Sequence, residues 1–433
     1  MLTKSKKIKR IQIFAVSLLV VAGLVNYLDR STLSIANLQI RQEMGLSATQ
    51  MGQLLSAFSL AYAFSQLPIG ALLDRFGARL MLGLGMFVWS LAQLAGGFVQ
   101  SLQQFIIVRV FLGMGEAPAF PAGAKVFSEW FAVRERGKPS GIFTASSTIG
   151  PALAPPVLTG LMLAFGWRGM FIIMGALGIA AAVGWYALYR DRRDVALEQS
   201  ELDHLSEGDP GSAVERKLTA ADFGTLLSAR TSWGVIFGFM GVIYMIWLYL
   251  TWLPAYLSTE RGLTIAKAGW VLAIPYLAGT LGMLASGFIS DGLLARGLKP
   301  IASRKYPIFV SLVFAAVFTV PAAYTPSTSM AVAFISLAMF FVNLASGASW
   351  QLVAVAAPRR LVASLGGLQN FGGYLAGSAA PIITGVIVDT TGSFVNALLI
   401  SAAISLAGAF VYLLVVKDPI PDKATGPVAA PRV

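Results

Sequence analysis

The feature that most constrains this chain is a series of twelve long apolar runs. Read as helices, they cover 11–38, 50–72, 80–98, 103–125, 139–163 and 168–189, and after a gap 230–257, 268–290, 306–324, 330–357, 361–387 and 393–416. Each is close to the roughly 20 residues that a helix needs to cross a bilayer. In lipid every backbone N–H and C=O must be bonded within the protein, which selects helices over an open sheet. Composition agrees. Of 433 residues, 56% are hydrophobic and 12% are charged, with a mean hydropathy of +0.73. A soluble domain carries about 25% charged residues, so a soluble enzyme, a disordered chain and a fibrous repeat are excluded. The absence of cysteine excludes a disulfide scaffold, a thiolate metal site and a cysteine nucleophile. One histidine, His204, cannot build a histidine metal cluster. The expected fold class is an all-α membrane protein with twelve transmembrane helices, without metal or cofactor.

The net charge of +12 invites a nucleic-acid reading, but cytoplasmic loops of membrane proteins are themselves rich in Lys and Arg. With the N-terminus inside, the inner loops and tails hold 25 of the 32 basic residues and the outer loops hold four: Arg41, Arg168, Arg261 and Lys267. The remaining three, Arg30, Arg109 and Lys125, fall within runs. This asymmetry predicts both termini in the cytoplasm, contact with anionic lipid and no nucleic-acid partner. The first run contains Asp29 and Arg30 and lacks a small-residue cleavage site, so a cleaved signal peptide is not expected.

The gap at 190–229 is polar and is broken by Asp209-Pro210-Gly211. It reads as a cytoplasmic linker between two six-helix halves, 1–189 and 230–433. The halves look like copies. Gly70-x3-Asp74-x4-Arg79 recurs as Gly287-x3-Asp291-x4-Arg296, and Gly141, Pro156, Thr159 and Gly160 recur as Gly366, Pro381, Thr384 and Gly385. Parallel six-helix repeats suggest alternating access.

These residues resemble the major facilitator superfamily over nearly the whole chain. The segment Gly70 to Arg79 is similar to its loop between helices 2 and 3, and Arg109-x3-Gly113-x3-Ala117 to its helix-4 motif. Asn26-Tyr27-Leu28-Asp29-Arg30-Ser31 and Gly113-Met114-Gly115-Glu116-Ala117 resemble the anion:cation symporter family. That resemblance implies uptake of sugar acids and other organic anions.

A charged side chain at the centre of a membrane helix costs about 2.5–3.5 kcal/mol on insertion scales. Asp29, Arg30, Arg109, Glu116 and Lys125 all lie within runs of the first half; apart from Arg230 at the very start of its run, the six runs of the second half carry no charge. Anion binding and proton carriage are therefore expected in the first half. Arg30 is the expected anion ligand, because a guanidinium stays charged and can grip a carboxylate or sulfonate with two hydrogen bonds. A structural ion pair is the alternative. Arg109 and Glu116 are two turns apart, with Gly113 on the same face admitting a close neighbour. The expected pairing sets Asp29 against Arg109, which the resemblance also implies. Asp29 and Glu116 are the expected proton carriers: movement of Arg109 relative to Asp29 would switch a proton on or off, and Glu116, further from a fixed cation, is the better candidate to be protonated at neutral pH. A rigid packing pair for Asp29 and Arg109, and an acid bonded within its own helix for Glu116, are the alternatives. Lys125 is expected to reach the interface by its long stem, and His204 to be a solvated linker residue.

The resemblance favours Tyr27, Tyr62, Ser147 and Asn370 as residues lining the substrate. Asp74, Arg75, Arg79, Asp291 and Arg296 stand at cytoplasmic helix ends, where charges can lock a gate. The run around Gly141 and Gly150 departs from the glycine pattern of antiporters, which leans toward symport. The reading is a secondary active importer of a small organic anion (sugar acid, other carboxylate or sulfonate), by proton symport with alternating access. The alternative is an exporter or exchanger of anionic metabolites or drugs. The expected partners are the anion, a proton and the bilayer. The chain is expected to be a monomer in the cell inner membrane.

Overall fold

A computed structural model describes residues 5–207, 220–358 and 361–421. Among the described residues the regular structure is helical. In chain order the helices are α1 (Lys6–Ile35), α2 (Asn37–Met44), α3 (Ala48–Phe76), α4 (Ala78–Gly96), α5 (Leu102–Glu116), α6 (Ala119–Trp130), α7 (Gly137–Leu188) and α8 (Gln199–Leu205). They continue as α9 (Ala220–Ser228), α10 (Arg230–Thr259), α11 (Ile265–Val271), α12 (Ala273–Ala295), α13 (Ala302–Tyr324), α14 (Thr328–Ala356), α15 (Val362–Thr391) and α16 (Val395–Val415).

Among the described residues, eleven helical segments are long and apolar enough to cross a membrane. One of them, α7, has 52 residues. At 1.5 Å per residue this is about 78 Å, more than twice the hydrocarbon thickness of about 30 Å. The helix breaks at Gly166 (φ 69°, ψ 170°), between the fifth and sixth apolar runs. Only glycine enters that left-handed region without steric cost. The break divides α7 into two crossings, so the segments supply the twelve crossings expected.

Three other boundaries differ from the sequence reading. The first run kinks at Ala36 and passes into the polar helix α2. The fourth run is interrupted at Ala117-Pro118. Pro118 has no N–H and cannot bond the carbonyl one turn back, so α5 ends at Glu116. Finally, α15 continues to Thr391 and thereby carries Asp389.

The chain forms two compact units. The first comprises Met1–Glu215, Tyr249–Leu277 and Pro381–Phe394. Here α1 lies along α7, α4 packs on α5 and α7, and α3 packs on α5. Glycines set these approaches: a Cβ at Gly113 would run into the Phe58 carbonyl oxygen, and one at Gly115 into the Trp89 backbone. The start of α3 carries a capping box between Ser47 and Gln50. Its next N–H groups, those of Ala48 and Thr49, donate to the two carboxylate oxygens of Asp389 at 2.8 and 2.7 Å. Donors at a helix start have no partner within the helix, and Asp389 supplies one. The second unit comprises Arg216–Leu248, Ala278–Ala380 and Val395–Val433. In it α13 packs on α14 and α16, with Phe314, Phe318 and Phe341 stacked.

Part of the 190–229 stretch is docked on the first unit. His204 is not solvated as expected: it is 4% exposed, 3.6 Å from Glu135 Oε2 and 3.9 Å from Glu207 Oε2. The cause is α8, tied down by Ser5 Oγ donating to Glu201 Oε1 (2.6 Å) and by the Arg134–Glu207 pair (2.7 Å). The hydrogen bond from Ser5, with one from the Glu198 N–H, holds the Glu201 carboxyl below the usual range. The Asp209-Pro210-Gly211 breaker, with Arg216 and Lys217, lies outside the described residues.

Gly166→Val should lower the thermal unfolding temperature of the purified protein, because a left-handed φ costs an L-residue about 1–2 kcal/mol. Gly160→Ala, where a Cβ meets open space, should leave it unchanged. Equal unfolding temperatures for both variants would mean that the break does not need the glycine.

Candidate functional site

The site is built on α1. Asn26, Asp29 and Arg30 are spaced i, i+3 and i+4, so their side chains project over neighbouring positions on the helix. In this helix Asn26 and Asp29 are fully buried and Arg30 is 7% exposed. The last turn of α5 delivers Glu116, also fully buried, and Arg109 lies two turns earlier at 2%. Arg30 Nε donates to Glu116 Oε2 at 2.6 Å, in an ion pair whose side chains are 4% and 0% exposed.

This corrects the expected pairing. Among the described residues no ion pair joins Asp29 to Arg109, both Asp29 carboxylate oxygens lack hydrogen-bond partners, and so do Arg109 Nε and Nη1. Glu116 is not remote from a fixed cation; it holds one. The reason is helix rotation. Asp29 and Arg30 point about 100° apart, and α1, seated on α7, turns Arg30 toward the end of α5. Asp29 instead stands beside Trp89 of α4.

Aromatic rings enclose the cations. The Arg30 guanidinium lies over Tyr27 (5.0 Å), Phe58 (5.1 Å) and Tyr62 (4.8 Å). Arg109 lies over the same Phe58 ring at 5.0 Å. A planar guanidinium stacks well on such faces, and the attraction strengthens where water is absent. Tyr27 and Tyr62 therefore fall where the sequence reading put them, beside Arg30. Phe58 was missed; its signal was its place one turn before Tyr62 on α3.

The other lining candidates fare differently. Ser147 Oγ donates to its own helix at the Thr144 carbonyl (2.7 Å), as Ser146 and Thr148 do to Phe143 and Ala145. This is the local bonding open to a hydroxyl within a helix. Asn370 belongs to the second unit, half-buried on α15. Next to it Gln369 is fully buried with neither amide atom hydrogen-bonded.

At the expected gate, Lys125 Nζ reaches Asp74 Oδ1 (3.2 Å) and Glu129 Oε1 (3.5 Å). It pairs rather than simply extending to an interface. The Arg79 N–H donates to Asp191 Oδ1 (3.0 Å), while its Nε donates to the Tyr186 carbonyl (3.0 Å). Asp191, 3% exposed, was missed because composition places it in the polar stretch. Gly77, at φ 86°, makes room: a Cβ there would strike the Asp191 carboxylate. Arg75 stacks on Phe76 at 5.1 Å. In the second unit Asp291 meets Arg304 at 3.5 Å, and Arg296 is exposed.

Twelve apolar crossings with charges buried inside a helical bundle define a multi-pass membrane protein. The Major Facilitator Superfamily matches residues 19–381, and the chain belongs to that family. It is 49% identical over 419 residues to the "Probable L-galactonate transporter" of Escherichia coli (strain K12), covering 97% of this chain and 92% of that one. Identity to the "D-galactonate transporter" of Escherichia coli O6:H1 is 35% over 401 residues, with 90% and 92% covered. Among solved structures, a bacterial homolog of the human lysosomal transporter Spinster, inward-facing and occupied, superposes with a TM-score of 0.79. Its sequence is 18% identical, and 94% of this chain and 97% of that one are covered, a likeness of fold.

Phe58→Leu stays apolar, with a smaller side chain, and removes the face shared by Arg30 and Arg109. Desolvated cation–π contacts are worth about 2 kcal/mol, so the variant should unfold at a clearly lower temperature than wild type. Phe58→Tyr, which keeps the face, should not.

Proposed function

We propose that this chain is a secondary active importer of a sugar acid, driven by a co-transported proton and working by alternating access. The substrate class we assign is an aldonate such as galactonate. The observation that carries this reading is the buried Arg30–Glu116 pair at 2.6 Å. An arginine is always charged, whereas a carboxyl can be neutralised. While Glu116 is ionised it occupies Arg30. Once Glu116 takes a proton it no longer competes as an anion, and the guanidinium is available to grip a substrate carboxylate with two hydrogen bonds. Proton and anion thus bind together. Tyr27 and Tyr62, whose rings lie 5.0 and 4.8 Å from the guanidinium, offer hydroxyls to a polyol and ring faces to its carbon skeleton. The names of the 49% and 35% identical relatives support an aldonate.

Asp29, beside Glu116 and Arg109, is a second acid able to take a proton. Ser147 and Asn370 are assigned to the polyol end of the substrate. Asp74, Arg75, Arg79, Asp291 and Arg296 are assigned to gating at the cytoplasmic side. Residues 1–189 and 230–433 are taken as the two six-helix halves, joined by 190–229. The protein is placed as a monomer in the cell inner membrane, with both termini in the cytoplasm.

In liposomes with an imposed pH gradient, Glu116→Gln and Asp29→Asn should lose proton-driven galactonate accumulation. Glu116→Gln should still exchange labelled for unlabelled galactonate, because exchange needs no net proton movement. Normal accumulation by Glu116→Gln would remove it from coupling. By calorimetry, Arg30→Ala should lose galactonate binding, and Arg30→Lys nearly as much. Wild-type affinity in Arg30→Ala would exclude Arg30 from the site.

A further inference from the structure

We propose that Asn26 is a positioning residue that lets Glu116 be held in either protonation state within the apolar bundle, an inference that rests on Glu116 being the coupling carboxyl. Asn26 lies one turn before Arg30 on α1 and is 0% exposed. Its amide lies close enough to Glu116 to act on that carboxyl, while neither Oδ1 nor Nδ2 completes a hydrogen bond of good geometry. Glu116 is half-engaged: Oε2 receives Arg30 Nε, while Oε1 has no partner. A buried polar group left in this way is uncommon and asks for a reason.

The reason lies in what each neighbour can do. The charged groups around Glu116 are Arg30 and Asp29 on α1 and Arg109 on its own helix. From α3 come the Phe58 and Tyr62 rings that cover Arg30, and from α4 comes Trp89, beside Asp29. Arginine has donors and no acceptor, so it serves only the ionised carboxylate. When Glu116 takes a proton and releases Arg30, it presents a buried O–H that needs an acceptor. Asn26 offers both functions on one rigid group: Nδ2 donates to the carboxylate, and Oδ1 accepts from the acid. Asn26 itself neither gains nor loses a proton; the proton stays on Glu116. Gln93, another fully buried amide of this unit, has Nε2 donating to Thr32 Oγ1 at 3.0 Å and is not among the groups that act on Glu116. Asn26 is uncommitted.

The test measures galactonate exchange by the full-length protein in liposomes. Asn26→Leu, with the same branched outline but without donor or acceptor, should lower maximal exchange at least ~10-fold while the KM for galactonate changes less than ~3-fold, since no substrate contact is removed. Asn26→Thr, which keeps a donor and an acceptor, should restore most of that loss. In the Glu116→Gln background, where no proton is gained or lost, Asn26→Leu should cost less than ~3-fold. Coupled residues give such non-additive effects, whereas a packing role gives equal losses in both backgrounds. Equal losses, or equal rates for Asn26→Leu and Asn26→Thr, would overturn the assignment of Asn26. If Glu116→Gln does not exchange, the comparison of Leu with Thr at position 26 decides alone. Wild-type proton-driven accumulation by Glu116→Gln would instead overturn the functional reading and this inference with it.

Discussion

An ion pair inside an apolar helix bundle governs the first unit. Removing two charges from water costs several kcal/mol per ion even after relaxation, and only close geometry with further hydrogen bonds offsets it. The 2.6 Å contact between Arg30 and Glu116 meets the first requirement, and the surroundings are arranged to permit it. Pro118 ends α5 so that Glu116 stands on its last turn. Gly113 and Gly115 let α3 and α4 approach α5, which brings Phe58, Tyr62 and Trp89 around the charges. A larger residue at either glycine would widen the bundle where the pair needs it narrow.

The fold was legible because it depends on features with a long period. Apolar run length, charge asymmetry and the two loops at Gly70 and Gly287 need no knowledge of packing. The identity of the buried charges was legible for the same reason, since any ionisable residue inside a run stands out. Their pairing was not. Asp29 and Arg30 are neighbours in sequence, and which of them meets α5 depends on the rotation of α1 against α7. No residue spacing within α1 reports that rotation. Phe58 was hidden for a related reason: an apolar ring in an apolar run looks like a lipid-facing residue until its neighbours are known.

Local polarity misled where tertiary contacts decide burial. Asp191 and His204 sit in a stretch whose composition reads as solvated, yet both are buried, at 3% and 4% exposure. Asp191 is drawn in by the start of α4, with Gly77 leaving space for it. His204 is drawn in by the docking of α8, which uses Ser5, Glu201 and Arg134. Asp389 lay just past the expected end of its run, so its role at the start of α3 could not be inferred from the apolar pattern.

The four charges buried within the apolar runs of the first unit are two acids, Asp29 and Glu116, and two arginines, Arg30 and Arg109. Fully ionised, they sum to zero. One proton on Glu116 leaves a single positive charge, which a monocarboxylate cancels, so the empty and the loaded bundle are equally neutral. Movement of that load would be indifferent to the membrane potential, which otherwise weighs about 2.3 kcal/mol per charge per 100 mV. A dianion would require Asp29 to be protonated as well. A monoanion carried with two protons would leave the loaded protein positive and pulled inward by the voltage. With Glu116 and Asp29 as the proton carriers proposed above, the count of acids against arginines in the bundle would set a valence rule, tying the charge of the cargo to the number of protons that accompany it.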